Sequence, residues 1–360
     1  MAAASMVLPG CAAPPTTAPG EDDPRVLLGD LVRAAVDDDR GLWESRSTPG
    51  GAATTDLLRS NLARLDLRGL AATGRQRPPG PGDPRGDRVI ETTVTWSVDG
   101  WSVQRATPLW LVVEGTGDAA RLAGIGAATT GAELPVWALE PVEPRAAGDV
   151  AVLAADDPAP WLAAAGRSGG ELLIIVPRNA DGFARLTGGS GRTGTAALTR
   201  SGSDDRGEII VNPAVGRLTP EGRGVLIAHE AVHVETASWA TDAPLWVEEG
   251  YAEWRAQQAW PEAVGEMDAI LADGLRGRVP SGVPTDAEFG SGGTGYGRAL
   301  LAWRVIAGGG PEAVPRAERA YAELAAGEPP ERVLTGLGLS ERELAAEIDR
   351  RIAELRGGAR

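Results

Sequence analysis

Lysine is absent from all 360 residues, so the 35 basic side chains of the chain are arginines. Without lysine, the glycine-rich run Thr187-Gly188-Gly189-Ser190-Gly191 does not fit a phosphate-cradling G-x-x-x-x-G-K loop and reads as a flexible loop. Beside abundant Arg, Ala and Gly, the missing lysine reflects the codon bias of a GC-rich genome and carries no mechanism. Cysteine occurs once, at Cys11, which excludes a cysteine-based metal site. An excess of positive charge is lacking too. Fifty acidic side chains leave a net charge of −15, which argues against nucleic acid and against a basic patch on anionic lipid. No apolar run is long enough to span a bilayer. Histidine is the scarcest ligand type after cysteine, present only as His229 and His233.

Those two residues stand in His229-Glu230-Ala231-Val232-His233, an H-E-x-x-H arrangement. Two histidines scattered at random would fall four apart in roughly one such chain in 180, and the adjacent glutamate makes coincidence about tenfold rarer. On a helix, residues i and i+4 lie one turn apart on the same face, so both imidazoles can aim at one ion. Glu230 follows one step round, where its carboxylate can act as a general base without being a ligand. The flanks support the helix: Thr219 as N-cap, Pro220 at the first position, Glu221 at the positive end, and Val225, Leu226, Ala228 and Val232 as apolar surface.

A catalytic zinc (Zn2+) takes three protein ligands and leaves one position open. With no third histidine and no usable cysteine, the third ligand has to be an Asp or Glu. Leu245-Trp246-Val247-Glu248-Glu249-Gly250-Tyr251-Ala252-Glu253-Trp254 offers several. Taken together, the two segments resemble the gluzincin metallopeptidases, whose second helix carries W-[LV]-x-E-G-[FY]-A or E-G-x-x-D. The resemblance implies Glu249 as third ligand, with Glu248 its competitor, and Glu253 as the carboxylate that holds the far nitrogen of a ligand histidine. It also implies an oxyanion donor from a downstream helix. Tyr296, at the start of Thr294-Gly295-Tyr296-Gly297-Arg298, is the candidate, the alternative being a core or helix-entry tyrosine. Arg298 reads as a surface ion-pair residue. What the resemblance implies is a zinc-dependent hydrolase of peptide or protein substrates. The alternative is a non-catalytic surface protein that binds a partner, its zinc fold inactive or structural.

The expected fold class is α+β. Residues 25–145 read as an accessory unit of two helices (an amphipathic segment 23–36 that includes its N-cap signal, and 56–66) and short strands at 88–98, 101–106, 108–114 and 120–124, similar to the cone-shaped NTF2-like domains. A loop is expected at 74–86 and a linker at 140–148. Residues 146–360 form the zincin-like unit, with strands at 150–153, 171–176 and 207–211. The resemblance makes 209–212 the edge strand that pairs with extended substrate; residues 179–199, with their Gly-rich stretch, read as a flexible loop beside the cleft. Helices follow near 262–275, 296–306, 312–326 and 341–355, interrupted by a cleft-lining loop at 277–293. At the N-terminus, Val7-Leu8-Pro9-Gly10-Cys11 resembles a bacterial lipobox, followed by a tether rich in Ala, Pro and Thr that completes the segment 1–24. It implies an extracytoplasmic protein anchored to the membrane through a lipid on Cys11. Only ten residues, none basic, precede that cysteine, which a start codon further upstream would explain.

Overall fold

The computed structural model describes residues 24–126, 134–189, 195–276, 279–290 and 294–358, so Cys11 and most of its tether lie outside the described residues. The architecture is α+β, with two sheets and a helical C-terminal half. Three helices come first: α1 (Arg25–Val36), α2 (Arg40–Ser45) and α3 (Pro49–Arg64). α1 buries Leu27, Leu28, Leu31, Ala34 and Ala35, a stripe at helical spacing. α3 begins well ahead of the expected residue 56, because Thr48 accepts the Gly51 N–H at 3.0 Å and Pro49 takes the first position, outweighing the poor propensity of Gly50 and Gly51. Gly51 has its own reason: a Cβ there would lie 2.3 Å from the Leu122 carbonyl oxygen.

Strands β1 (Asp66–Arg77), β2 (Arg88–Ser97), β3 (Arg105–Glu114) and β4 (Arg121–Ile125) form an antiparallel sheet in chain order. β1 occupies part of the stretch expected as loop. It is an exposed edge strand without the apolar alternation that would mark it. Of the two strands expected at 101–106 and 108–114 only one forms, β3 from Arg105, and residues 101–104 are not strand. Pro108 sits inside β3, but β4 pairs only with 111–114, so the missing N–H of Pro108 faces no neighbour on that side. Helices and sheet close on a core filled by Leu31, Trp43, Leu58, Leu62, Leu109 and Leu111, leaving a cavity of about 10 Å³. That is barely room for one water, too little for a ligand.

The chain continues through α4 (Val136–Leu139), β5 (Glu143–Ala147), β6 (Val150–Ala154), α5 (Ala159–Ala164), β7 (Leu172–Val176), α6 (Ala180–Leu186), β8 (Ala197–Ser201) and β9 (Gly207–Val211). The second sheet runs β5-β6-β7-β9-β8, with β6, β7 and β9 parallel and the two edge strands antiparallel. Two expectations change here. Residues 143–147 of the expected linker are the first strand of this sheet, turned back onto β6 through Gly148 at φ 59°. The edge is β8, not 209–212: β9 is paired on both sides, and part of the stretch read as a loop supplies α6 and most of β8.

Alternation divides the sheet's side chains. Val152, Ala154, Leu172, Ile174, Ile209 and Val211 meet α5 and the next helix, whereas Ala151, Leu153, Leu173, Ile175 and Ile210 share one core with Leu62, Trp96 and Trp137 of the N-terminal unit. A buried ion pair joins the same two parts. Arg105 of β3, 3% exposed, donates Nε and Nη2 to the two carboxylate oxygens of Asp204 at 2.6 and 2.7 Å, and Nη2 also reaches Glu208 at 3.2 Å. The rest is helical: α7 (Pro220–Thr236), α8 (Leu245–Ala259), α9 (Val264–Gly274), α10 (Thr294–Ala307), α11 (Ala313–Ala325), α12 (Pro330–Gly336) and α13 (Glu341–Gly358). Among the described residues no helix is long and apolar enough to cross a membrane.

Candidate metal centre

α7 starts as its sequence dictates, with the Thr219 hydroxyl oxygen accepting the Gly222 N–H at 3.0 Å, Pro220 first and Glu221 in the opening turn. Ile227 and Ala231 pack on the sheet. His229 and His233, two residues further round from each, point away from it. The helix stops at Ala237, in the left-handed region at φ 47° and ψ 48°, whose N–H bonds the carbonyls of the last turn. α8 then comes alongside. Its first amide, Leu245 N–H, is capped by the Asp286 carboxylate at 3.0 Å, and its back packs on α10. Gly250 makes that packing close: a Cβ there would meet Trp303 Cδ1 at 2.5 Å and the Ala299 carbonyl oxygen at 2.6 Å.

This packing brings His229, His233 and Glu249 together. The two Nε2 atoms are 3.2 Å apart, and Glu249 Oε2 stands 3.2 Å from His229 Nε2 and 3.6 Å from His233 Nε2. Ligand atoms held about 2.0–2.1 Å from a tetrahedral zinc are about 3.4 Å from one another, so the triangle has the dimensions of one face of such a site. His229 Nδ1 is buried and has no hydrogen-bond partner within normal reach, but Glu253 Oε1 lies 3.6 Å from it. A metal on Nε2 fixes the proton on Nδ1, facing that carboxylate. The donor set and the orphaned nitrogen therefore fit zinc.

Electrostatics point the same way. Burial alone would lower the imidazole of His229, yet Glu249, Glu253 and Glu230 push it up to about 10. Burial opposes ionisation of Glu249, but hydrogen bonding to both imidazoles holds its carboxyl far below the usual range. Burial raises Glu253, against the pull of His229. Three carboxylates around two imidazoles form a pocket of negative charge suited to a dication.

Other expected residues fall elsewhere. Glu248 is turned aside and accepts the Thr241 hydroxyl. Tyr296 lies at the start of α10, 38% exposed, its ring edge-on to Phe289 at 5.1 Å. Arg298 is not a surface residue: it is 1% exposed and donates to the carbonyls of Gly282 and Ser281 and to Glu288, pinning the segment 281–288 that carries Asp286. One residue near the centre escaped the sequence reading. Thr199 Oγ1 donates to Glu230 Oε2 at 2.6 Å. Its signal was the run Ala197-Leu198-Thr199-Arg200-Ser201, followed by turn residues and the strand from Gly207, which together spell a hairpin. Compared with protein-family models, curated proteins and solved structures, the chain matches none.

Proposed function

We propose that the protein is a zinc-dependent metallopeptidase of the gluzincin kind, with His229, His233 and Glu249 as ligands, Glu253 orienting His229 and Glu230 as general base. The observation that carries this reading is the convergence of three ligand atoms at tetrahedral spacing, with a non-ligand glutamate one residue from the first histidine. A structural zinc site would be closed by a fourth protein ligand, whereas the cluster of candidate ligands stops at three among the described residues. Zinc held there would supply Lewis acidity, acidifying water at its open position and polarising a carbonyl.

The chain's own groups do the rest. The Glu230 carboxylate takes a proton from the attacking water and passes it to the leaving amine as the C–N bond breaks. The outer edge of β8, which carries Thr199, offers main-chain groups to an extended peptide. Tyr296 remains the candidate donor to the oxyanion. The purified protein is expected to contain about one zinc per chain, and Glu230→Gln to lower cleavage of a peptide library by about 10²–10⁴-fold with zinc content unchanged. A protein that takes up no zinc, or a variant that cleaves like its parent, ends this reading.

A further inference from the structure

The half-buried hydroxyl-to-carboxylate contact between the second sheet and α7 has no part in holding a metal. Thr199 Oγ1 lies 2.6 Å from Glu230 Oε2 and 3.2 Å from the Glu230 carbonyl oxygen, and a hydroxyl has one proton to give. The shorter, charge-assisted bond to the carboxylate is the stronger. It occupies Oε2 and leaves Oε1 to meet a proton, so the carboxylate has one working orientation. Thr199 is itself firmly placed. It pairs with Ile209, a fully buried residue of β9, and the turn that joins the two strands is gripped from β3 by Arg105 through Asp204. Glu208 continues the chain of contacts, accepting from Arg105 at 3.2 Å and from Arg200, the neighbour of Thr199, at 3.2 Å.

We propose that Thr199 is the positioning residue of Glu230, and that the β8–β9 hairpin, clamped by Arg105, sets the general base and the outer strand edge as one rigid piece. This rests on the peptidase reading for its kinetic consequence, though the pairing itself does not. A base misplaced by about 1 Å costs on the order of 10²-fold in rate. Thr199→Val keeps the shape and removes the donor; Thr199→Ser keeps the donor.

The test combines kinetics on the zinc-loaded protein with a thermodynamic cycle. Thr199→Val is expected to lower kcat about 10- to 100-fold with KM within about twofold and zinc content unchanged, and Thr199→Ser to restore most of the rate. In urea unfolding, Thr199→Val and Glu230→Ala should be non-additive by about tenfold in the unfolding constant. Full activity in Thr199→Val, parallel loss of zinc and rate, or an additive cycle overturns the proposal. If the zinc-loaded wild type cleaves no peptide, the peptidase reading falls while the cycle still decides whether Thr199 holds Glu230.

Discussion

His229 concentrates the physics of the site in one ring. Its imidazole is raised from 6.5 to about 10 in the metal-free protein, so its charge stabilises the fold fully below about pH 6.5 and that contribution is lost as pH rises through about 10. Glu249 has the opposite sign, contributing above its ordinary value of 4.5 and losing its contribution as pH falls. Glu253, raised by burial, acts in the same sense as His229, its ionisation with rising pH weakening the fold. Chelator-stripped protein is therefore expected to weaken between pH 6.5 and 10. Zinc-loaded protein should resist that weakening, because a ligand imidazole must be neutral and alkaline pH favours binding. Urea midpoints at several pH values with and without zinc check this, and parallel curves would refute it. The sequence made this residue legible because H-E-x-x-H is local, with its geometry contained in one helix. Thr199 was not legible as a partner of Glu230, because 31 residues and a hairpin separate them. Arg298 was misread for the same kind of reason: composition describes what arginines usually do, and only the fold shows this one buried against the carbonyls of 281 and 282.

At the level of elements, the site is an agreement between two helices about how near they can come. Gly250 sets the approach of α8 to α10, and Glu249 is its neighbour. Gly250→Ala is expected to cost about 1–3 kcal/mol in stability and to weaken zinc binding, since backbone at Ala299 cannot yield as a flexible side chain would. Gly265→Ala in α9, where a Cβ meets nothing within 4 Å, serves as control and should be neutral or stabilising by up to ~1 kcal/mol. Denaturation and metal-competition titrations on both variants decide it; equal behaviour would show that Gly250 is not a spacer. The E-G motif contains Gly250 but not the reason for it, which lies on another helix. Helix starts with a cap and a proline were readable at Thr219. Thr48-Pro49 carries the same signal, obscured by the two glycines after it. Strands with neither alternation nor a continuous apolar run, β1 above all, were not readable, whereas the apolar runs of β6 and β7 were.

Across the whole molecule, the N-terminal unit and the sheet that supports α7 are built around one core, and Arg105 is the polar bolt between them. Arg105→Met would leave Asp204 and Glu208, both largely buried, without that cation. The expected cost is about 3–5 kcal/mol. Because the bolt also grips the hairpin that holds Thr199, turnover is expected to fall while the proposed zinc ligands, on α7 and α8, should still take up the metal. Calorimetry with zinc analysis measures both, and a loss of stability below about 0.5 kcal/mol would show that this ion pair does not help to hold the parts together. The change of pattern in the sequence suggests a boundary near residue 145, but that residue lies inside β5, paired with Val152. The shared core was not visible, since Leu153 and Ile175 give no sign in one dimension of which partners they face.

The second sheet ends in two unlike borders. β5 carries Pro144 between Glu143 and Arg145 and is blunted against pairing. β8 has no proline and only five residues, with Arg200 as its one charge. An edge open to a peptide is open in principle to another copy of the same edge, and from there to aggregation. Its shortness is the safeguard: in the function proposed, five residues would accept one extended segment for the time of a reaction, yet they offer too few main-chain bonds to hold two folded molecules together. Lengthening this strand would trade a transient hold on a passing chain for self-association in the stored protein.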